Sequence, residues 1–349
     1  MITVDDFDRF IFIVGAPRCG TTTLARFLKQ HPRINFPAIK EPHFFAQHDL
    51  RDLSDEELKK QIESEYLKRF FRADSDRRVG ADGSVTYLYK PEQLEPILRV
   101  WPDSRFVIAL RNPLTMLPSL HKRLIYVGEE TIAKFSDAWA AVPERAAGRR
   151  IPRTCTDPRL LRYDEAGRFG TYLERLYASV GKERCLVVIF DDLTANPAEQ
   201  YRRLMGFIDL EPQAEIDFSP RRQGHSVRFP WLQRLLKRPP RAITEHLTAK
   251  LSEQAARGSD DAKNEKQVAA IMSLRKRLLR WNRVVRPVEP PTPSLKNEIS
   301  LHFSDEIKLL GSLLGRDLSD WLQLSGERKP ASSAEGEDER PIGRELNLT

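Results

Sequence analysis

The sequence predicts an α/β protein, a P-loop-like three-layer fold with a central parallel sheet flanked by helices. Three observations predict it. An apolar strand over residues 10–14 runs straight into Gly15-x4-Gly20, the glycine frame of a phosphate loop, and then into a helix. A second apolar strand, over 105–110, ends on Arg111 and is followed by Asn112-Pro113, a helix opening. Between and beyond these two, strand-like runs alternate with helical patterns, as in a parallel sheet covered by helices.

The elements follow in order. The first helix spans 21 to about 29 and stops at His31-Pro32, because the residue before a proline is pushed away from helical backbone. Residues 34–36 form a short second strand. A helix is expected over 54–71, opened by the capping box Ser54-Asp55-Glu56-Glu57, in which hydroxyl and carboxylate satisfy each other's amides. Residues 79–81 read as a buried strand, and 91–100 as a helix with proline in its first turn. The strand at 105–110 leads to a helix over 113–124. A helix over 169–180, a strand over 186–190 and a helix over 197–208 complete the alternation. Segment 143–165, rich in Arg and Pro, breaks the pattern and reads as a surface insertion of the kind that forms a substrate wall. Residues 286–296 form a proline-rich connector, and 299–325 the C-terminal helices. One domain over 1–325 is expected, with the polar and charged 326–349 as a disordered tail.

Composition narrows the class. The chain has 349 residues, 40% of them hydrophobic and 31% charged, enough for a sizeable core in a soluble globular protein. No run of eighteen apolar residues is present, so no transmembrane helix is expected. The start, Met1-Ile2-Thr3-Val4-Asp5-Asp6, lacks the shape of a signal peptide, which makes the cytoplasm the expected compartment. Cys19, Cys155 and Cys185 are too few and too scattered for a disulfide framework or a zinc site, and no metal is expected. The formal net charge of +7 favours anionic ligands. Its cations are scattered and carry no recognition-helix or zinc-finger pattern, so nucleic acid is not an expected partner.

The phosphate loop carries the most specific chemistry. A nucleoside-triphosphate P-loop places a lysine after its second glycine, to reach the β and γ phosphates. Here Thr21 stands at that position, and the cation has moved inside the loop to Arg18. Helix-start N–H groups over Cys19, Gly20, Thr21, Thr22 and Thr23 still suit one phosphate. The loop therefore fits a nucleotide with a single 5′-phosphate and a small group beyond it, which describes 3′-phosphoadenosine-5′-phosphosulfate (PAPS). Arg111 at a strand tip and Ser119, eight residues on in the next helix, grip an anion from two sides, as a 3′-phosphate requires. In such sheets ligands gather at the C-terminal ends of the strands.

A third element, Lys40-Glu41-Pro42-His43-Phe44-Phe45, follows the second strand. Transfer to a hydroxyl needs a general base, and Glu41 is the choice, with His43 the alternative. Phe44 and Phe45 read as core or pocket wall. Two other classes compete. A degenerate P-loop kinase or ATPase would take Asp191 or Asp192 as its Mg²⁺ ligand, yet it lacks the loop lysine. A non-catalytic basic binding module explains the charge but not the paired anion sites.

These residues resemble the PAPS-dependent sulfotransferase family, in its bacterial and heparan-sulfate-type carbohydrate branch. Gly15-Ala-Pro-Arg-Cys-Gly-Thr-Thr-Thr-Leu24 is similar to the family's 5′-phosphosulfate loop, and Arg111 with Ser119 to its 3′-phosphate motif. Lys40–Phe45 is similar to the segment that carries the catalytic glutamate. Asp82-Gly-Ser-Val-Thr-Tyr87 stands where that branch has Glu-Lys-Ser-Pro-x-Tyr. Val187–Leu193 and Leu310–Trp321 are similar to the closing strand and the C-terminal helix, so the likeness spans about residues 9–322. It implies an O-sulfating enzyme that takes PAPS and a carbohydrate, glycolipid or natural-product alcohol. Arg18 would stabilise the leaving phosphate.

Two departures and one stretch with two readings stand out. The family often has lysine where Arg18 stands, and arginine does not readily pass on a proton. The lysine of the Glu-Lys-Ser-Pro pattern is Gly83 here, which removes a cation near donor and acceptor. The stretch Arg221-Arg-Gln-Gly-His-Ser-Val-Arg228 has two readings, a basic loop that covers the 3′-phosphate through Arg228 or a solvated charged turn.

Overall fold

The computed structural model describes residues 2–322, apart from 40, 75, 220–224, 239–260 and 286–287. Its central sheet has five strands: β1 (Arg9–Gly15), β2 (Ile34–Asn35), β3 (Val79–Asp82), β4 (Arg105–Leu110) and β5 (Cys185–Ile189). They pair in parallel in the order β2-β3-β1-β4-β5. Phe10 to Val14 have no exposed surface, because helices cover both faces of the sheet. This is why β1 reads as an unbroken apolar run. Phe12 of β1 stacks on Phe106 of β4 with centroids 5.7 Å apart, and Phe10 meets Trp101 at 4.3 Å. Phe10 also presses on Gly80 of β3, where a Cβ would lie 2.4 Å from its ring, so only glycine fits there.

The order of the strands determines where a ligand can sit. From β1 the chain goes through the Thr21–Lys29 helix to the edge strand β2 and returns to β3 beside β1. It then crosses to β4 on the other flank of β1. Connections diverge on either side of β1, which opens a crevice at the C-terminal tips of β1, β3 and β4. The β1–β4 register shifts between Ile13 and Gly15, where strand gives way to loop.

The expected helices form, with different ends. The 54–71 segment is an α-helix over Asp55–Gln61, a π-helical turn over Ile62–Leu67 and a last turn over Lys68–Phe70. The Ser54–Glu57 capping box is present. The 113–124 helix extends to Val127 and ends on Gly128 at φ 81°. The C-terminal segment forms two helices, Pro293–His302 and Ser304–Leu314, and the first begins inside the expected proline-rich connector. Glu306 accepts from Arg168 Nε at 3.0 Å and from the Thr171 amide at 2.9 Å, which docks the second on the Phe169–Val180 helix. Residues 326–349, the expected tail, lie outside the described residues.

Segment 143–165, expected as a surface insertion, is anchored to the core at both ends. Arg145 donates to both oxygens of Glu130, at 2.8 and 2.7 Å, and the two side chains are 1% and 0% exposed. The Tyr163 hydroxyl adds a bond to the same carboxylate at 2.9 Å. A buried charge is tolerated only when it is paired in this way. A small antiparallel pair, β6 (His225–Val227) with β7 (Arg283–Val285), has no counterpart in the sequence reading. Three-residue strands carry too little alternation to be seen. The Pro230–Lys237 helix that follows β6 rests on the end of the Pro113–Val127 helix, where Gln233 Nε2 donates to the Tyr126 carbonyl at 2.9 Å.

Candidate active site

The phosphate loop is built by packing on three sides. The Ala16 amide donates to the Ala109 carbonyl at 2.7 Å, which ties the loop to β4. A Cβ on Gly15 would lie 2.6 Å from Leu88 Cβ and 3.1 Å from the Val85 carbonyl, so the segment after β3 presses on the loop's first residue. Gly20, at φ 95°, opens the Thr21–Lys29 helix, and Leu193 and Phe190 close over it. The first helical turn leaves N–H groups with no intrahelical acceptor, an anion site in its own right. Thr21 is buried, Thr23 half-buried and Thr22 exposed at the mouth. Cys19 is fully buried, and burial pushes its thiol well above the ordinary range, the setting of a packing residue.

The second anion motif meets the first directly. Arg18 Nε donates to Ser119 Oγ at 3.0 Å. Arg111 Nε donates to Thr115 Oγ1 at 2.9 Å, its Nη1 reaches the Arg18 carbonyl at 3.5 Å, and its guanidinium lies 4.5 Å above the Phe190 ring. Asn112 caps the Pro113–Val127 helix by accepting from the Leu114 amide at 2.9 Å and donates to the Trp321 carbonyl at 3.2 Å. The helix start is therefore fixed from both chain directions. Thr115 was not foreseen. It lies four residues beyond Arg111, a spacing that reads equally well as a plain solvent-facing helix position.

Glu41 and His43 form a third group. His43 Nε2 lies 3.6 Å from Glu41 Oε2, and both side chains are about one-third exposed or less. His43 takes φ 55°, and its placement comes from the segment after β3: its amide donates to Ser84 Oγ at 2.9 Å and its Nδ1 meets Thr86 Oγ1 at 2.8 Å. Ser84 in turn donates to Asp82 Oδ1 at 2.6 Å. Asp82 is fully buried and also accepts from Tyr66 at 2.9 Å and Tyr87 at 2.8 Å. Burial raises its pKa, against the pull of these three hydroxyls. Thr86 and the buried role of Asp82 were missed; both lie in the 82–87 motif, whose polar residues were the available signal. Phe44 and Phe45 are core, as expected.

Arg228 is not joined to either anion motif by its described contacts. Its guanidinium lies 5.5 Å from the Trp281 ring, and its amide donates to the Asn282 carbonyl at 2.8 Å. Residues 221–224 of that stretch lie outside the described residues. Asp192, one of the two ligands a kinase reading would take beside Asp191, is bound by both Arg316 guanidinium nitrogens. Among the described residues no group of three or more His, Cys, Asp or Glu side chains is arranged for a metal, and no helix is long and apolar enough to cross a membrane.

A model of the sulfotransferase family matches residues 10–214, which include the loop, Glu41, Arg111 and Ser119. The chain belongs to the sulfotransferase family. Human carbohydrate sulfotransferase 15 is 50% identical over 36 residues, 10% of this chain and 6% of that protein. The bifunctional heparan sulfate N-deacetylase/N-sulfotransferase 1 of Caenorhabditis briggsae is 24% identical over 226 residues, 62% of this chain and 24% of its own length. The chain thus spans a small part of either relative. A crystal structure of a sulfotransferase from Alicyclobacillus acidocaldarius matches over 90% of this chain and 98% of that one, with a TM-score of 0.58 at 23% identity, a likeness of fold. In this sulfotransferase the five-stranded parallel sheet and flanking helices agree with the fold class read from the sequence.

Proposed function

We propose that this sulfotransferase moves the sulfuryl group of PAPS to a hydroxyl of a carbohydrate, glycolipid or natural-product acceptor. The observation that carries the reading is the 3.0 Å hydrogen bond from Arg18 to Ser119. It joins a one-phosphate loop to a second anion motif, as a nucleotide with phosphates at both 5′ and 3′ positions demands. The N–H groups of the loop and the Thr21 and Thr22 hydroxyls hold the 5′-phosphate. Arg111 and Ser119 hold the 3′-phosphate and select against ordinary adenylates.

Glu41 takes the acceptor proton as the new oxygen–sulfur bond forms. The old sulfur–oxygen bond breaks, its electron pair stays on the 5′-phosphate, and Arg18 neutralises the charge that develops there. His43, 3.6 Å from Glu41, is the other candidate for the base. The name of one relative, carbohydrate sulfotransferase, supports a sugar hydroxyl as the first acceptor class to screen.

The test is calorimetric titration with adenosine 3′,5′-bisphosphate (PAP), with 5′-AMP and ATP as controls. Micromolar PAP binding that 5′-AMP does not match is the expected result. Preference for ATP with Mg²⁺, or no nucleotide binding, overturns the reading.

A further inference from the structure

A surface helix ordinarily turns its apolar residues to the core and its polar ones to water. The Pro230–Lys237 helix departs from this. Its buried residue is Gln233, 1% exposed, whereas Trp231 is 62% exposed and Leu235, one turn on, is exposed as well. Gln233 donates to the Tyr126 carbonyl at 2.9 Å and accepts from Asn282 Nδ2 at 3.2 Å. Asn282, fully buried at the end of the Asp261–Asn282 helix, also accepts from the Phe229 amide at 2.8 Å and donates to the Phe229 carbonyl at 3.0 Å. Arg275 Nε joins the two helices through the Leu236 carbonyl at 2.7 Å. A polar scaffold thus fixes the backbone that carries an outward apolar face. The Phe229 ring stacks on Trp281 at 5.8 Å and lies 6.5 Å from Trp231. Trp281 is 52% exposed, and Leu274, two turns earlier on the same helix face, is exposed too.

The charge on these elements has one sign. Residues 225–238 and 271–285 hold nine Lys or Arg and no Asp or Glu. Arg238 is paired with Glu129 from another element. Arg228 lies 5.5 Å from the Trp281 ring. Arg234 adjoins Leu235, Arg277 lies one turn before Trp281, and all three of these arginines are exposed. Exposed apolar residues gathered in this way mark an interaction site.

We propose that this face docks on the surface of an anionic lipid bilayer. The three rings and two leucines enter the boundary between headgroups and acyl chains, and the arginines meet the lipid phosphates. A nucleic acid or a sulfated glycan would satisfy the cations and stack on the rings, but offers Leu235 and Leu274 no apolar medium. Arg228, which the donor site leaves unused, gains a role here. The docking does not depend on the PAPS reading.

The experiment sediments the full chain with vesicles of phosphatidylcholine alone and of three parts phosphatidylcholine to one part phosphatidylglycerol. Wild-type protein is expected on the mixed vesicles and not on the neutral ones, less so as salt rises. Arg234→Gln with Arg277→Gln should lower the partition by about thirtyfold, roughly fivefold for each cation. Trp231→Ser with Leu235→Ser should lower it by about tenfold or more. Brominated phosphatidylcholine in the mixed vesicles should quench tryptophan fluorescence, and less in Trp231→Phe; this keeps the test open if the serine variant has a lowered melting temperature. Absence from the mixed vesicles overturns the proposal, as does full partition of a folded serine variant. Binding of DNA or heparin without vesicle binding makes the face a polyanion site instead. A dimer that the serine variant turns into a monomer, again without vesicle binding, means that a second copy covers the face, and it overturns the proposal equally.

Discussion

Replacing Arg18 separates what the loop does for folding from what it does for chemistry. Arg18 sits at φ 67°, a left-handed conformation that costs a residue with a Cβ about 1–2 kcal/mol. Arg18→Gly removes that strain and adds about 0.5–1 kcal/mol of unfolded-state freedom. It also removes the bond to Ser119 Oγ, worth about 1 kcal/mol. These terms nearly cancel, so the melting temperature should move by no more than about 2–4 °C. Turnover has no such compensation. A single donor aimed at developing charge is worth about 3–4 kcal/mol, or roughly 10²–10³ in turnover. The assay follows PAP release from PAPS by ion-exchange chromatography with a panel of hydroxyl acceptors, beside thermal unfolding by circular dichroism. Undiminished turnover in Arg18→Gly would remove Arg18 from the chemistry. Unfolding far below the wild type would refute the balance of strain and hydrogen bonding.

Arg111→Ala should raise the KM for PAPS by about ten- to a hundredfold, the loss of one bidentate-capable cation, with turnover at saturating donor little changed; kinetics in which only turnover falls would contradict a binding role. Glu41→Gln should cut turnover by roughly 10²–10⁴ with PAP affinity unchanged by calorimetry, and retained turnover would move the base to His43. The raised pKa of buried Asp82 means that the folded state holds its proton to higher pH than the unfolded chain does. Between the unfolded value and the folded one, Asp82 therefore makes stability fall as pH rises. Asp82→Asn should flatten that slope in urea unfolding measured across acidic pH, and an unaltered slope would show that Asp82 does not set it. Arg145→Met leaves Glu130 buried without its cation and should cost about 3–5 kcal/mol in urea unfolding; a cost below 1 kcal/mol would mean that the pair is not desolvated.

The fold was legible where residue pattern and physics act locally. β1 and β4 are unbroken apolar runs because both their faces are buried, and such runs show in one dimension. The Ser54–Glu57 cap and the glycine frame of the loop are likewise local. The two three-residue strands β6 and β7 are paired across 55 or more intervening residues and left no local trace. The anchoring of segment 143–165 through Arg145 and Glu130 was hidden for a similar reason, since an arginine in a polar stretch looks solvated until its partner is known.

For the site, the sequence by itself determined the kinds of groups: a glycine-framed loop with its cation at Arg18, a strand-tip arginine with a helix hydroxyl, and a carboxylate beside a histidine. Each depends on residue types at fixed short spacings, and backbone geometry ties such spacings to position. Only the tertiary structure decided which of these groups meet. The switch in strand order brings Arg18 onto Ser119 across 101 residues of sequence and sets Thr86 and Ser84 behind His43. Those meetings are set by packing between layers of the sheet and its helices, where the distance between two residues has no fixed relation to their separation along the chain.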